Sequence, residues 1–213
     1  VTDDDDDVTD DDDVLMDDDD AVDDWTATEY MYAHTATQLY SVEPTHPYTV
    51  TPIATFHAVE GGEVPNMTDL AVDLSGQMYA VSVNGLWHVA PQTGEVELVF
   101  ETKGEFFVAA TFLSNGVMLV GGNEYLFLAS IFDAEYDVAT SFAGWDWDGD
   151  MVGLPDGLLY CAMREGNDQT STLVVYDFLG GEEVWSGTTG AGSLYGVAYG
   201  KGILFGFTDE GEI

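Results

Sequence analysis

From Trp25 onward, short runs of alternating apolar and polar residues are separated by Gly, Asn, Asp and Pro. That alternation is the signature of half-buried strands joined by tight turns. Apolar residues recur with helical spacing nowhere for more than about two turns, so no helix is predicted. One segment type is a strand, a turn ending in glycine, and a second strand. It occurs as DLAVDLSGQMYAV (69–81), VAATFLSNGVMLV (108–120), MVGLPDGLLYCA (151–162) and VAYGKGILFGF (197–207). The turn glycines Gly76, Gly116, Gly157 and Gly202 are spaced 40, 41 and 45 residues apart. Ser-Gly, Asn-Gly and Asp-Gly suit a hairpin because glycine accepts positive φ without steric cost.

A second segment type follows the first three copies: LWHVAPQTGEVELVF (86–100), YLFLASIFDAEYDVATSF (125–142) and TLVVYDFLGGEEVWSG (172–187). An earlier copy, QLYSVEPTHPYTVTPIATF, lies at 38–56. Leu39, Leu86, Leu126 and Leu173 mark these copies at spacings of 47, 40 and 47 residues. The unit is therefore four strands in 40–47 residues, the size of a propeller blade. Such a unit cannot cover both its faces alone, so blades stack and share a core. The expected fold is all-β and β-propeller-like. The expected organisation is a leader at 1–24 and a repeat domain at 25–213. Within the domain, a partial blade at 30–61 precedes blades at 67–104, 105–144 and 145–190, and a second partial blade occupies 191–213. The first partial blade lacks its innermost strand, and the last stops where its third strand is due. The expectation is a truncated array, with closure of the ring by the two ends as the alternative.

Charge changes the picture next. Residues 1–24 contain 15 Asp and no basic residue. Like charges this dense repel, and the few apolar residues cannot offset the entropy of ordering, so a disordered acidic leader is predicted. Removing those 15 aspartates from the net charge of −38 leaves −23 for residues 25–213. Only Lys103, Arg164 and Lys201 are basic, against 41 acidic residues. That balance argues against nucleic acid as a partner, because phosphate binding needs clustered Lys and Arg. It disfavours anionic membrane surfaces and makes divalent cations the natural counter-ions. No run of 18 apolar residues exists, so no membrane-spanning helix is expected.

The candidate chemistry is sparse. Asp146, Asp148, Asp150 and Asp156 cluster in WDWDGDMVGLPDG, and alternate carboxylates beside glycine can wrap Ca²⁺. The match to an EF-hand loop is poor, because Gly157 stands where a bidentate Glu belongs. The two readings are an inter-blade loop, which the repeat favours, and a Ca²⁺ site. Asp150 precedes an inner strand, as Asp69 does in its own blade, at positions expected near the mouth of a central channel. Trp145 and Trp147 flank the acidic loop and can stack on sugar rings or pack between blades; packing is favoured. Cys161, the single cysteine, sits in an apolar run without a cationic neighbour and reads as a buried thiol. His34, His46, His57 and His88 lack zinc spacing. No G-x-S-x-G elbow or phosphate loop occurs.

The stretch GDMVGLPDGLLYCAM, then TLVVYDFLGGEEVWSG, then GSLYGVAYGKGILFGFTDEGEI, resembles predicted extracellular propeller-like repeat proteins of myxobacteria and related bacteria. The likeness covers about residues 30–213. It implies export, with an acidic linker behind an export signal and a lipid-anchor cysteine in a segment absent here, and it carries no agreed catalytic residues. The chain begins with Val1, as a processed form or fragment would. The functional expectation is a non-catalytic binding or structural protein, extracellular or at a bacterial cell surface, facing a protein or glycan partner. The rivals are a Ca²⁺-dependent propeller hydrolase or lactonase, and a carbohydrate-binding module.

Overall fold

A computed structural model describes residues 31–166, 168–208 and 210–211; the Asp-rich leader lies outside them. The described residues contain strands and turns and no helix. The first sheet holds β1 (Met31–His34), β2 (Gln38–Val42) and β3 (Val50–Thr55). A two-residue strand, β4 (His57–Ala58), leads to the second sheet: β5 (Met67–Val72), β6 (Met78–Ser82), β7 (Gly85–Val89) and β8 (Glu95–Glu101). The third sheet is β9 (Ala109–Phe112), β10 (Met118–Gly122), β11 (Tyr125–Ser130) and β12 (Glu135–Ser141). The fourth is β13 (Trp145–Gly153), β14 (Leu158–Glu165), β15 (Thr172–Asp177) and β16 (Glu182–Thr188). The last is β17 (Leu194–Gly200) with β18 (Ile203–Thr208).

Apart from β4, each sheet is an antiparallel meander whose strands lie in chain order. This is the β-propeller that the four-strand repeat predicts. Its tight turns follow from glycine chemistry: Gly76, Gly116 and Gly157 sit at φ +83°, +83° and +87°, which L-residues with a Cβ rarely adopt. β4 pairs in parallel with the outer strand β8 (His57 with Glu95, Ala58 with Val96), so the segment joining the first two sheets straps across the second.

The core lies between the sheets rather than within any of them. Leu39 and Phe56 of the first sheet side pack with Met67, Met78, Ala80, Val89 and Val96 of the second. Phe107, Met118, Val120 and Phe127 meet Ala71, Tyr79 and Val81 across the next interface. Leu119 and Leu126 join Met151, Leu159, Cys161 and Val174 across the third. Ala162 meets Leu194 and Val197 across the fourth. The fifth interface brings the two ends of the described chain together. Met31 and Val42 pack on Phe205, and the rings of Tyr48 and Phe205 meet edge to face at 5.8 Å. Each fully buried large side chain here contributes about 1.5–3 kcal/mol on transfer from water. Every sheet depends on both neighbours for that burial.

Candidate functional site

The inner strands β5, β9, β13 and β17 stand side by side around the axis, but they belong to different sheets and form no ladder with one another. Their remaining backbone groups need partners, since a buried unpaired amide costs about 1–3 kcal/mol. Side-chain oxygens supply them. Asp69 Oδ2 accepts from Ala110 N of the next blade at 2.5 Å, and its Oδ1 accepts from Leu70 N at 2.7 Å. Asp150 repeats the arrangement: Oδ1 accepts from Met151 N at 2.5 Å and Oδ2 from Val197 N at 3.1 Å. Thr111 Oγ1 accepts from Gly153 N at 2.9 Å, and Thr68 Oγ1 donates to Phe107 O at 2.9 Å.

Asp69 and Asp150 each lie seven residues before their turn glycine. The matching residue of the blade between them is Ala109, whose methyl group packs in the core between the third and fourth sheets. The Asp69 and Asp150 carboxyls hydrogen-bond to each other. Burial pushes Asp69 well above the usual carboxylate range, and the neighbouring charge of Asp150 adds to this. Burial likewise raises Asp150, to about 6, against the opposing hydrogen bonds from Asp69 and the two amides. Two buried carboxyls in contact favour sharing a proton, because burial penalises each charge and the two charges repel.

The four sequence-predicted aspartates go to different tasks. Asp150 joins Asp69 on the axis. Asp148 is nearly buried, forms an ion pair with Arg164 and accepts the hydroxyl of Ser171. Ser171 in turn accepts from Leu194 N at 2.6 Å, and Arg164 Nη2 donates to Ser193 Oγ at 2.9 Å. Asp148 thus ties the fourth sheet to the fifth. Asp146 is exposed on β13, in register with Arg164. Asp156 is exposed in the β13–β14 turn, where Oδ1 accepts from Leu158 N at 3.1 Å. Among the described residues, no three His, Cys, Asp or Glu side chains stand together as a metal-holding group.

Trp145 and Trp147 are half-buried and pack on the core between the third and fourth sheets. The indole of Trp147 covers Gly121, where a Cβ would fall 2.5 Å from the ring, and Nε1–H donates to Tyr125 O at 3.2 Å. Cys161 is fully buried, and burial raises its thiol far above the ordinary range. Sequence reasoning did not find Arg164 and Ser171 as partners of Asp148. The sequence linked Asp69 and Asp150 as residues preceding inner strands; the structure places both within those strands, β5 and β13, and their shared seven-residue offset from a turn glycine is the signal that could have paired them.

No protein-family model and no curated protein matches the sequence. Solved structures do resemble the fold. One is a structure of a nidogen/laminin complex, with a TM-score of 0.55 and 12% identity over 79% of this chain and 64% of that one. A second is a B. thetaiotaomicron extracellular domain assigned to a one component system, at 0.52 and 15% over 87% and 25%. A third, assigned to a hybrid two component system of the same organism, matches at 0.50 and 14% over 87% and 25%. The chain spans less than two thirds of each of these structures. At such identities the likeness establishes the propeller fold and nothing finer.

Proposed function

We propose that this chain is a non-catalytic binding or structural propeller that works outside the cell or at its surface, akin to the myxobacterial repeat proteins its sequence resembles. The observation that carries this reading is the use made of the buried and nearly buried carboxylates. Asp69, Asp148 and Asp150 are spent on amides, a hydroxyl and an arginine that hold neighbouring blades together. A hydrolase using channel-bound Ca²⁺ would need those oxygens free.

Binding would then fall to the turns. Phe132 and Leu179 occupy equivalent tips of the β11–β12 and β15–β16 turns, 97% and 82% exposed. Apolar side chains held out in water on a rigid frame suit a protein partner. The neighbour from the nidogen/laminin complex and the two extracellular domains are in keeping with that use of the fold, and the −38 charge steers the partner class away from nucleic acid.

The test has two arms. Crosslinking to proteins of the extracellular fraction should yield a saturable partner, weakened in Phe132→Asp/Leu179→Asp. A panel of lactones and esters with Ca²⁺ should show no turnover. Turnover abolished by Asp69→Asn would replace this reading with the hydrolase.

A further inference from the structure

At the β6–β7 end of the second sheet lies a cavity of about 290 Å³ that the axis does not involve. One wall is apolar, made by Trp87 and its cross-strand partner Leu98, with Val64 and Pro65 from the segment before β5. The polar lining is Glu63, Glu101 and Asn84. The wall is set by a buried hydroxyl. Trp87 Nε1–H donates to Ser82 Oγ at 2.9 Å, and Ser82 Oγ–H donates to Asn84 Oδ1 at 2.8 Å. Ser82 is fully buried, so the indole and the amide are both held in place, with the Asn84 NH₂ left as a donor. The pocket sets this blade apart from the two that follow it. The residues matching Trp87 in the next two blades, Phe127 and Val174, are buried, whereas Trp87, like Tyr40 at the matching place in the first sheet, is only half-buried.

Glu63 and Glu101 are exposed, and neither has a hydrogen bond or ion pair among the described residues. No Lys or Arg lines the cavity. Two uncompensated carboxylates beside an indole and an aliphatic wall complement one ligand shape: an aliphatic stem ending in a cation. An inorganic cation would leave the apolar wall unused. A neutral sugar would stack on the indole but leave both charges unmatched. A lysine or arginine side chain uses every wall, through cation–π attraction, stem packing and charge pairing.

We propose that the Trp87 pocket receives a lysine or arginine side chain presented by a protein partner, its stem along Trp87 and Leu98 and its cationic head between Glu63 and Glu101. This deepens the reading of the chain as a binding propeller and rests on it. The experiment titrates the full chain with Nα-acetyl-lysine methylamide and Nα-acetyl-arginine methylamide, following the Trp87 indole N–H by NMR, with methyl glucoside as a parallel probe. Saturable shifts of that signal with either cationic probe are expected, with binding roughly tenfold weaker in Glu63→Gln/Glu101→Gln, as the loss of two partly solvated charge contacts implies. Equal binding by the double variant overturns the proposal. So do unsaturable shifts spread over the acidic surface, or saturation by the glucoside alone. If the crosslinked partner is still captured by the double variant, the pocket assignment fails while the binding reading stands. Ester or lactone turnover would remove the reading itself.

Discussion

The carboxyl groups of Asp69 and Asp150 hydrogen-bond to each other although their sheets are not neighbours in the ring. The third sheet stands between them, with Ala109 at the matching position. The pair makes stability depend on pH in a definite direction. Both carboxyls titrate above their ordinary range, Asp150 at about 6, so the folded state keeps protons that the unfolded chain releases from about pH 4. Stability owed to this pair therefore falls as pH rises from about 4, through about 6 for Asp150 and on through the raised range of Asp69. Melts of wild type and Asp150→Asn across pH 4–8 should diverge, with the wild type losing stability relative to the variant as pH rises. Parallel profiles would show that the pair shares no proton.

Ala109→Asp places a third carboxyl beside the first two. Because Ala109 is fully buried in an apolar cluster, the variant should lose about 3 kcal/mol or more. Ala109→Ser, similar in size and uncharged, should lose far less. Urea unfolding of both separates charge from crowding, and equal losses would mean that space alone is limiting.

Arg164 offsets the nearly buried Asp148, whose other oxygen is held by Ser171. Arg164→Met leaves that carboxylate without its cation. Because the guanidinium is partly exposed, the expected cost is about 2 kcal/mol rather than the 3–5 kcal/mol of a fully buried pair. Adding Asp148→Asn should recover part of it. A double-mutant cycle by denaturant unfolding measures the coupling, and additivity would mean that the pair contributes nothing.

Gly121→Ala puts a methyl group into the indole of Trp147. The side chain would have to leave its seat and its bond to Tyr125 O. A loss of about 1–3 kcal/mol is expected from overpacking, with a red shift in tryptophan emission as an indole meets water. An unchanged spectrum with unchanged stability would show that Trp147 is not a fixed wedge between blades.

The four-strand blade was legible because its causes are local. Strand alternation, the glycines of the first hairpin and the recurring leucines each act over a few residues. The parity of Asp69 and Asp150 was legible too, as a shared place at an inner strand, although both sit within the strand rather than before it. The roles within the acidic loop were not. WDWDGD reads as evenly spaced carboxylates, but the register of β13 against β14 shifts between Trp147 and Met151. That irregularity separates an exposed Asp146 from a nearly buried Asp148 and an axial Asp150, a difference invisible in spacing. Trp87 gave no sequence signal of a pocket, because its position in the repeat is an ordinary strand residue whose exposure depends on the segment preceding β5.

By itself the sequence determined the class of element, the period and the turns, since these follow from φ preferences and side-chain alternation along a few consecutive residues. Tertiary structure alone decided which residues meet. Asp69 and Asp150 are 81 positions apart in the chain, and Met31 packs near Phe205. Such contacts are set by the angle at which twisted sheets stack to bury both faces. That angle is a property of the whole ring, and no short stretch of residues encodes it.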